Sequence, residues 1–188
     1  TPDPTEAPTQ EPGVPISILS TFTSGTSHTK PGGSNRGLVF FAYTEDDNED
    51  MNLSSVTYGG QAMTKIIEKN VAKDGDPYRV YVCAYFLDES GINAASSNSF
   101  SPAWASTPSR SPGYSSVFLE NVDQITSLGA NASNSSTSSG TITTIGLSNS
   151  SGDMVFVAGC NGDTGPCEVT NGLGQAIRGR RGPKAELA

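Results

Sequence analysis

The sequence is poor in charged residues, above all in basic ones, and in long apolar runs. Charged side chains make up 16% of the 188 residues, and 11 Lys plus Arg face 19 Asp plus Glu. The net charge of −8 argues against nucleic acid as a partner, because that binding depends on Lys and Arg neutralising phosphates. No run approaches the roughly 18 apolar residues of a membrane-spanning helix, so we predict no membrane span.

Residues that commonly carry catalysis or bind metals are scarce as well. His28 is the only histidine, and neither a G-x-S-x-G nor a Cys-His signature is present. Asp46, Asn48 and Asp50 resemble the start of a calcium loop, but Met51 stands where an EF-hand needs glycine. We therefore expect no enzyme and no cofactor, and a loose surface calcium site is the one weak exception.

The three cysteines suit two different environments. Cys160 and Cys167 enclose six residues that are polar, Gly or Pro, and this spacing predicts a loop disulfide in an oxidising compartment. Cys83 lies within the apolar run VYVCAYF, where we expect a buried free thiol. The spacing of the three does not match a zinc site.

Small and turn-forming residues take the place of the missing charge, with 21 Gly and 12 Pro. Short apolar runs separated by such residues are typical of strands joined by turns. We predict an all-β antiparallel sandwich, Ig-like or jelly-roll-like, at residues 16–172. A Pro/Thr-rich stalk precedes it at 1–15, and a basic, poorly structured tail follows at 173–188.

One segment, QAMTKIIEKNVAK, is ambiguous between helix and strand. Ala62, Met63, Ile66, Ile67 and Val71 recur at nearly helical spacing, and Lys and Glu are good helix formers. Propensity alone favours a helix slightly, whereas the surrounding strands and turns favour a strand.

Five stretches in order carry a resemblance to a known family: SNRGLVFFAYTED, SVTYGGQAMTKI, RVYVCAYFLDESGI, SSVFLENVDQITSLG and GDMVFVAGC. Together they resemble a β-sandwich domain of unknown function that is widespread in secreted and surface proteins of bacteria. The resemblance covers about residues 34–160 and rests on the ordered set. It implies that the Gly59-Gly60 pair is a tight hairpin followed by a strand, and that the setting is extracellular or at the cell surface. It implies no catalytic residues.

The chain departs from that family at its end, where no run can form a well-buried last strand. At the other end, a strand-like segment at 15–22 follows the Pro-rich stalk. Such a segment can pair with an open sheet edge of a neighbouring subunit, as in donor-strand complementation of pili. Its apolar residues are the donor-strand candidates: Ile16, Ile18, Leu19 and Phe22. The alternative is that the segment folds back into its own sheet.

Two kinds of glycosylation site are predicted for an exported chain. Sequons of the form N-x-[ST] occur at Asn52, Asn131, Asn134 and Asn149. Thr1, Thr5 and Thr9 among prolines resemble an O-glycosylated stalk.

Two functions are compatible with these features. The first is a structural subunit of an extracellular filament or surface layer, in which the N-terminal segment adds to the next copy of the chain. The second is a non-catalytic module that binds carbohydrate or a surface. A carbohydrate module needs two or three exposed aromatics on one face, and a structural subunit buries most of them. The aromatics in question are Tyr43, Tyr58, Tyr81, Tyr85, Trp104 and Tyr114.

Overall fold

The computed structural model describes residues 14–46, 51–72, 78–137, 147 and 151–159, together with the backbone of three later strands. This part of the chain contains thirteen strands and one short helix. In chain order they are β1 (Ser17–Ile18), β2 (Thr23–Ser24), β3 (Gly37–Asp46), β4 (Leu53–Tyr58), β5 (Gln61–Ala62), β6 (Thr64–Ala72), β7 (Arg79–Leu87), α1 (Glu89–Ala94), β8 (Phe100–Trp104), β9 (Gly113–Glu120), β10 (Phe156–Gly159), β11 (Cys167–Thr170), β12 (Ala176–Gly179) and β13 (Lys184–Leu187).

Two antiparallel sheets form the body of the domain, and the predicted all-β sandwich is confirmed. The main sheet has the order β9–β3–β7–β6, and both β1 and β2 pair with the outer edge of β9. The second sheet has the order β5–β4–β8. Two further antiparallel pairs are β10–β13 and β11–β12.

The main sheet is apolar on both faces, which explains why its central strand β3 is a continuous apolar run. Phe40 points to one face and packs with Tyr58 and Phe100 of the second sheet in what we call the inner cluster. Phe41 points to the other face and belongs to the outer cluster, against which Phe156 packs. Burial of large side chains on both faces, about 1.5–3 kcal/mol for each one, makes β3 the centre of the fold.

The Gly59-Gly60 pair forms the tight turn between β4 and β5, and the predicted hairpin is confirmed. Their φ angles are 53° and 85°, as a two-residue hairpin turn of type I′ requires. A Cβ on Gly59 would lie 2.5 Å from the carbonyl oxygen of Ser97, so only glycine allows this close approach.

The ambiguous segment after this turn is a strand, and the helix favoured by propensity is wrong. The register of β6 against β7 shifts between Lys65 and Ile67, which marks a bulge. Because of this bulge the adjacent residues Ile66 and Ile67 both pack on the outer cluster. The nearly helical spacing in the sequence therefore reflects a bulged strand.

Helix α1 follows β7 directly in the chain. The Asp88 carboxylate caps it by accepting a bond from the Gly91 amide at 2.8 Å, and Ile92 within the helix is fully buried. Six residues are too few for a helical period to stand out in the sequence.

Two strands lie within the range predicted as a poorly structured tail, 173–188. β12 pairs with β11, and β13 pairs with β10. Strand pairing uses backbone hydrogen bonds, so it does not require the apolar run whose absence motivates the prediction.

Candidate functional site

The N-terminal segment at residues 14–24, here called the strap, lies along the edge of β9 in its own chain. It pairs with β9 at two short ladders, in which Ser17 is opposite Glu120 and Thr23 is opposite Ser116. The Ser17 hydroxyl also donates to the Glu120 carboxylate at 2.8 Å. Each ladder spans only two residues, so the strap is held at a few points rather than along its length.

Between the two ladders the strap bonds to Phe118. The Phe118 carbonyl oxygen accepts bonds from the Leu19 and Ser20 amides at 2.9 and 3.3 Å. The Phe118 amide in turn donates to the Ser20 hydroxyl oxygen at 3.1 Å. Main-chain pairing is interrupted here because a side-chain oxygen replaces a backbone carbonyl as acceptor.

The chain is anchored differently after Gly25, whose φ of 93° turns it away from β9. The carbonyl oxygen of Thr26 accepts a bond from the Phe100 amide at 2.8 Å, and the His28 amide donates to the Asn98 carbonyl oxygen at 2.9 Å. The Tyr58 hydroxyl donates to the His28 carbonyl oxygen at 2.7 Å. Gly25 thus separates the strap from a segment that is fastened to the second sheet.

The four donor-strand candidates divide between core and surface. Ile16 and Phe22 pack against the outer cluster, whereas Leu19 packs against the inner cluster. Ile18 remains 37% exposed. Three of the four side chains therefore contribute apolar contacts that hold the strap on the sandwich.

The His28 imidazole ties the strap to β9, in an arrangement we call the clasp. Its Nε2 lies 3.0 Å from the Ser20 hydroxyl on the strap, and its Nδ1 lies 2.9 Å from the Ser116 hydroxyl on β9. The ring stands edge-to-face on Phe118, with centroids 4.8 Å apart, and the residue is only 6% exposed. Both ring nitrogens are thus bonded across two elements.

The electrostatics of the clasp favour a neutral ring. Burial lowers the pKa of His28, because the charged form loses its hydration. The hydroxyl of Ser116 also lies 3.5 Å from the Thr23 carbonyl oxygen. In one arrangement Nδ1–H donates to the Ser116 hydroxyl, and that hydroxyl donates to the Thr23 carbonyl oxygen. The Ser20 hydroxyl then donates to Nε2. This arrangement gives every polar proton of the three side chains an acceptor.

A serine, a histidine and a second serine in line resemble a hydrolase triad by distance alone, but they do not form one. A buried serine replaces the carboxylate that orients the imidazole in a hydrolase triad. The amides of Leu19, Ser20 and Phe118 are all bonded within the strap contact, so none of these three can stabilise an oxyanion. We interpret the clasp as a fastening rather than a catalytic site.

Sequence reasoning found His28 but not its partners. The signal that could have pointed to the clasp is Ser116, a fully buried hydroxyl next to the apolar run VFL of β9. A buried hydroxyl needs a bond, and the only histidine is a natural candidate for it.

A second polar cluster, here called the lock, joins the ends of three chain segments. The Arg36 guanidinium bonds to both carboxylate oxygens of Glu89, at 2.9 Å from Nε and 2.7 Å from Nη2. Its other donors reach the Pro31 carbonyl oxygen and the Asn93 side chain. Gln124 completes the cluster by donating to the Arg36 carbonyl oxygen and accepting from the Glu89 amide.

The lock brings together residues from three separate stretches of the sequence. Arg36 comes from SNRG, Glu89 from LDESG and Gln124 from VDQ, and these segments meet only in the folded chain. Burial alone would raise the pKa of the Glu89 carboxyl, but the bonds from Arg36 outweigh it and lower that pKa. Arg36 is 5% exposed, so the lock is a structural cluster and not an open binding site.

The aromatics that separate the two predicted functions are buried or half-buried. Tyr58, Tyr81 and Tyr85 are at most 1% exposed. Trp104 is half-buried and donates from Nε1 to the Tyr114 hydroxyl at 2.9 Å. Tyr78, which is not among the six, is 41% exposed, and the Arg110 guanidinium lies over its ring.

Several predicted sites fall wholly or partly outside the described residues. Asn48 and Asp50 of the predicted calcium site lie outside the described residues. Asp46 is buried and accepts hydrogen bonds from the amide and the hydroxyl of Ser109. Among the described residues no cluster of three His, Cys, Asp or Glu side chains could hold a metal ion.

Cys83 is a free, buried thiol, as predicted, and burial raises its pKa to about 12. Cys160, the partner in the predicted disulfide, lies outside the described residues. So do Asn149 and the O-glycosylation candidates Thr1, Thr5 and Thr9. Of the other sequons, Asn131 and Asn134 are exposed and Asn52 is half-buried.

Comparisons with protein-family models, with curated proteins and with solved structures find no match to this chain. The family resemblance stays a prediction. Within the described residues, no helix has the length and apolarity needed to cross a membrane.

Proposed function

We propose that this protein is a structural subunit of an extracellular filament or surface layer, in which the strap of one copy pairs with β9 of the next. The observation that supports this proposal is the attachment of the strap. It is an edge strand held by two short ladders, a clasp and three apolar side chains, and it is joined to the body at one glycine.

Exchange between copies would preserve these contacts. The strap touches its own body through β9, the outer and inner clusters and His28, and all of these are present in every copy. A strap that pairs in trans therefore makes the same bonds as one that pairs in cis, and concentration decides between the two states.

The strap is long enough to pair with another copy. Eleven extended residues reach roughly 36 Å at about 3.3 Å per residue, which is enough to leave one body and lie on another. Each copy gives one strap and frees one β9 edge, so donor and acceptor surfaces differ. Head-to-tail addition of this kind produces a filament when the rotation between successive copies does not close a ring.

The burial of the aromatics argues against the alternative, a carbohydrate-binding module. None of the six candidate side chains is exposed, and Trp104 and Tyr114 bond to each other. Stacking on a sugar requires ring faces that are open to solvent.

A cysteine pair across the strap tests the proposal. Ser17 and Glu120 are Cα partners in an antiparallel ladder, and such partners lie within the distance that a disulfide spans. We expect chains carrying Ser17→Cys, mixed with chains carrying Glu120→Cys, to form a disulfide between subunits in filaments seen by negative-stain microscopy. Each variant alone is the control for Cys83, Cys160 and Cys167.

The same pair in one chain gives the opposite result. A Ser17→Cys/Glu120→Cys double variant, oxidised as a dilute monomer, fixes the strap in cis and should not assemble until a reductant is added. Dispersed monomers of the parent chain at high concentration, without intersubunit disulfide in the mixture, would show that the proposal is wrong.

A further inference from the structure

We propose that the His28 clasp is a pH-sensitive latch: protonation of the imidazole at mildly acidic pH releases the strap from β9. The latch is a property of the single chain. Its consequence for assembly, that acid frees the strap for pairing with another copy, rests on the proposed function.

Protonation of the imidazole changes the hydrogen bond at Nε2. Nε2 lies 3.0 Å from the Ser20 hydroxyl, and in the tautomer that gives every proton an acceptor it accepts the Ser20 hydroxyl proton. The Ser20 oxygen already accepts the Phe118 amide proton at 3.1 Å. When Nε2 gains a proton, the Ser20 bond must reverse, and the hydroxyl proton of Ser20 loses its acceptor.

The surroundings of the ring provide no negative charge. From β9 the ring faces Ser116 and Phe118, which do not titrate. From β4 comes Tyr58, a neutral phenol whose pKa burial raises to about 12. Among the described residues no carboxylate bonds to the imidazole, so an imidazolium ion at 6% exposure would be both desolvated and unpaired.

Lys30 is the cation nearest to His28 in sequence. Its ammonium group is directed to the carbonyl oxygens of Ile92 and Ala95 at 3.0 and 3.3 Å. A positive charge on the same segment cannot stabilise a second one on the ring. None of these groups provides a negative charge that could pair with an imidazolium ion.

Of the two side-chain bonds of His28, the one to Ser20 breaks on protonation. His28 is fastened to the second sheet through its backbone, and Ser116 is part of β9. Ser20 belongs to the strap, which has only short ladders on either side. Opening of the strap exposes the charged ring to water and breaks fewer contacts than unfolding of the body does. Acid therefore opens the strap before it unfolds the body.

The test uses the fact that His28 is the only histidine in the chain. Its C2–H resonance, followed by NMR from pH 7.5 to 4.5, reports the protonation of the ring without ambiguity. In parallel, hydrogen exchange at the Leu19 and Ser20 amides, corrected for the intrinsic pH dependence of exchange, reports the opening of the strap.

We expect the open population to rise by up to about tenfold for each pH unit below about 6.5, the ordinary midpoint of histidine. In His28→Gln, which cannot be charged, the same amides should change less than about twofold over that range, since the ionisable group is gone. Glu120→Gln is the matched control, because it removes the carboxylate bonded to Ser17 and should leave the acid response in place.

A flat response of the wild-type amides, or an equal response in His28→Gln, would overturn the latch. If His28→Gln does not fold, the wild-type comparison still decides, because opening must follow the titration of the His28 resonance. Assembly separates the two proposals. Filaments that form equally well at pH 7.5 and 5.5 by negative-stain microscopy, together with a flat exchange response, would refute the latch and leave the filament proposal intact. A strap that opens with acid in a chain that never assembles would sustain the latch and refute the filament.

Discussion

The lock at Arg36 and the clasp at His28 fasten the same sandwich by opposite means. The lock pairs two full charges through several hydrogen bonds, between side chains that are 6% and 13% exposed. The clasp uses one neutral ring and two hydroxyls. A buried ion pair cannot lose one member without leaving an unpaired charge, whereas a neutral bond can be exchanged for water. The difference indicates a permanent joint in the body and a removable one at the strap.

The largest effect is expected from breaking the lock. Arg36→Met leaves the Glu89 carboxylate buried without its partner, and we expect the free energy of unfolding to fall by about 3–5 kcal/mol. Chemical denaturation measures this change, and the loss should appear at every probe in the body.

Glu45→Gln is the control for the lock. The Glu45–Arg110 pair is longer, at 3.6 Å, and Arg110 is 52% exposed. Its removal should cost about 0–1 kcal/mol, as for other surface pairs. A similarly small loss for Arg36→Met would mean that the lock does not hold the three segments together.

Substitution of one glycine in each region allows the backbone near the lock and at the end of the strap to be compared. A Cβ on Gly37, beside the lock, would lie 2.7 Å from the Phe86 ring, so Gly37→Ala should cost about 1–3 kcal/mol by overpacking. Gly25 has open space around it, and only its φ of 93° opposes alanine, at about 1–2 kcal/mol.

The location of the loss is the sharper readout for these glycines. Gly37→Ala should lower the denaturation midpoint of the whole body, and Gly25→Ala should raise hydrogen exchange in the strap alone. Loss of global stability in Gly25→Ala would contradict the assignment of Gly25 as the boundary of the strap.

Local sequence patterns predict much of the fold, but they do not predict the lock or the clasp. The apolar runs of β3 and β7 are local features typical of strands, and both are strands in the structure. The Gly59-Gly60 turn, which the family resemblance implies, is present as well. Arg36 and Glu89 are 53 residues apart, and Ser116 lies 88 residues from His28. Pairing over such distances depends on the strand order, which local periodicity does not specify.

The bulge in β6 shows a further limit of pattern alone. Adjacent isoleucines cannot both face one side of a regular strand, so Ile66 and Ile67 imitate a helical stripe in the sequence. Only pairing with β7 reveals the inserted residue. The strap is a third case, since its pattern is compatible with pairing in cis and in trans.

A smaller effect is expected from the clasp. Ser20→Ala removes the hydroxyl that bonds both Phe118 and His28, and we expect it to destabilise the docked strap by about 1 kcal/mol. Hydrogen exchange at the Leu19 amide should rise accordingly, while the denaturation midpoint of the body stays nearly constant. Thr21→Ala, at an exposed neighbouring position, should change neither. A fall in the midpoint of Ser20→Ala would place the clasp in the same cooperative unit as the lock.

The comparison that separates the two regions most cleanly is their response to pH. The pKa of His28 is lowered by burial, so its contribution is present above about 6.5 and declines as the pH falls below that value. Burial would raise the pKa of Glu89, but Arg36 lowers it, so the lock keeps its contribution down to about pH 4.3 and loses it as the carboxyl is protonated. Between pH 6.5 and 5 the strap should therefore loosen while the denaturation midpoint of the body holds. If both decline together, and only below about pH 4.5, carboxylates control both regions and the removable joint is not set by His28.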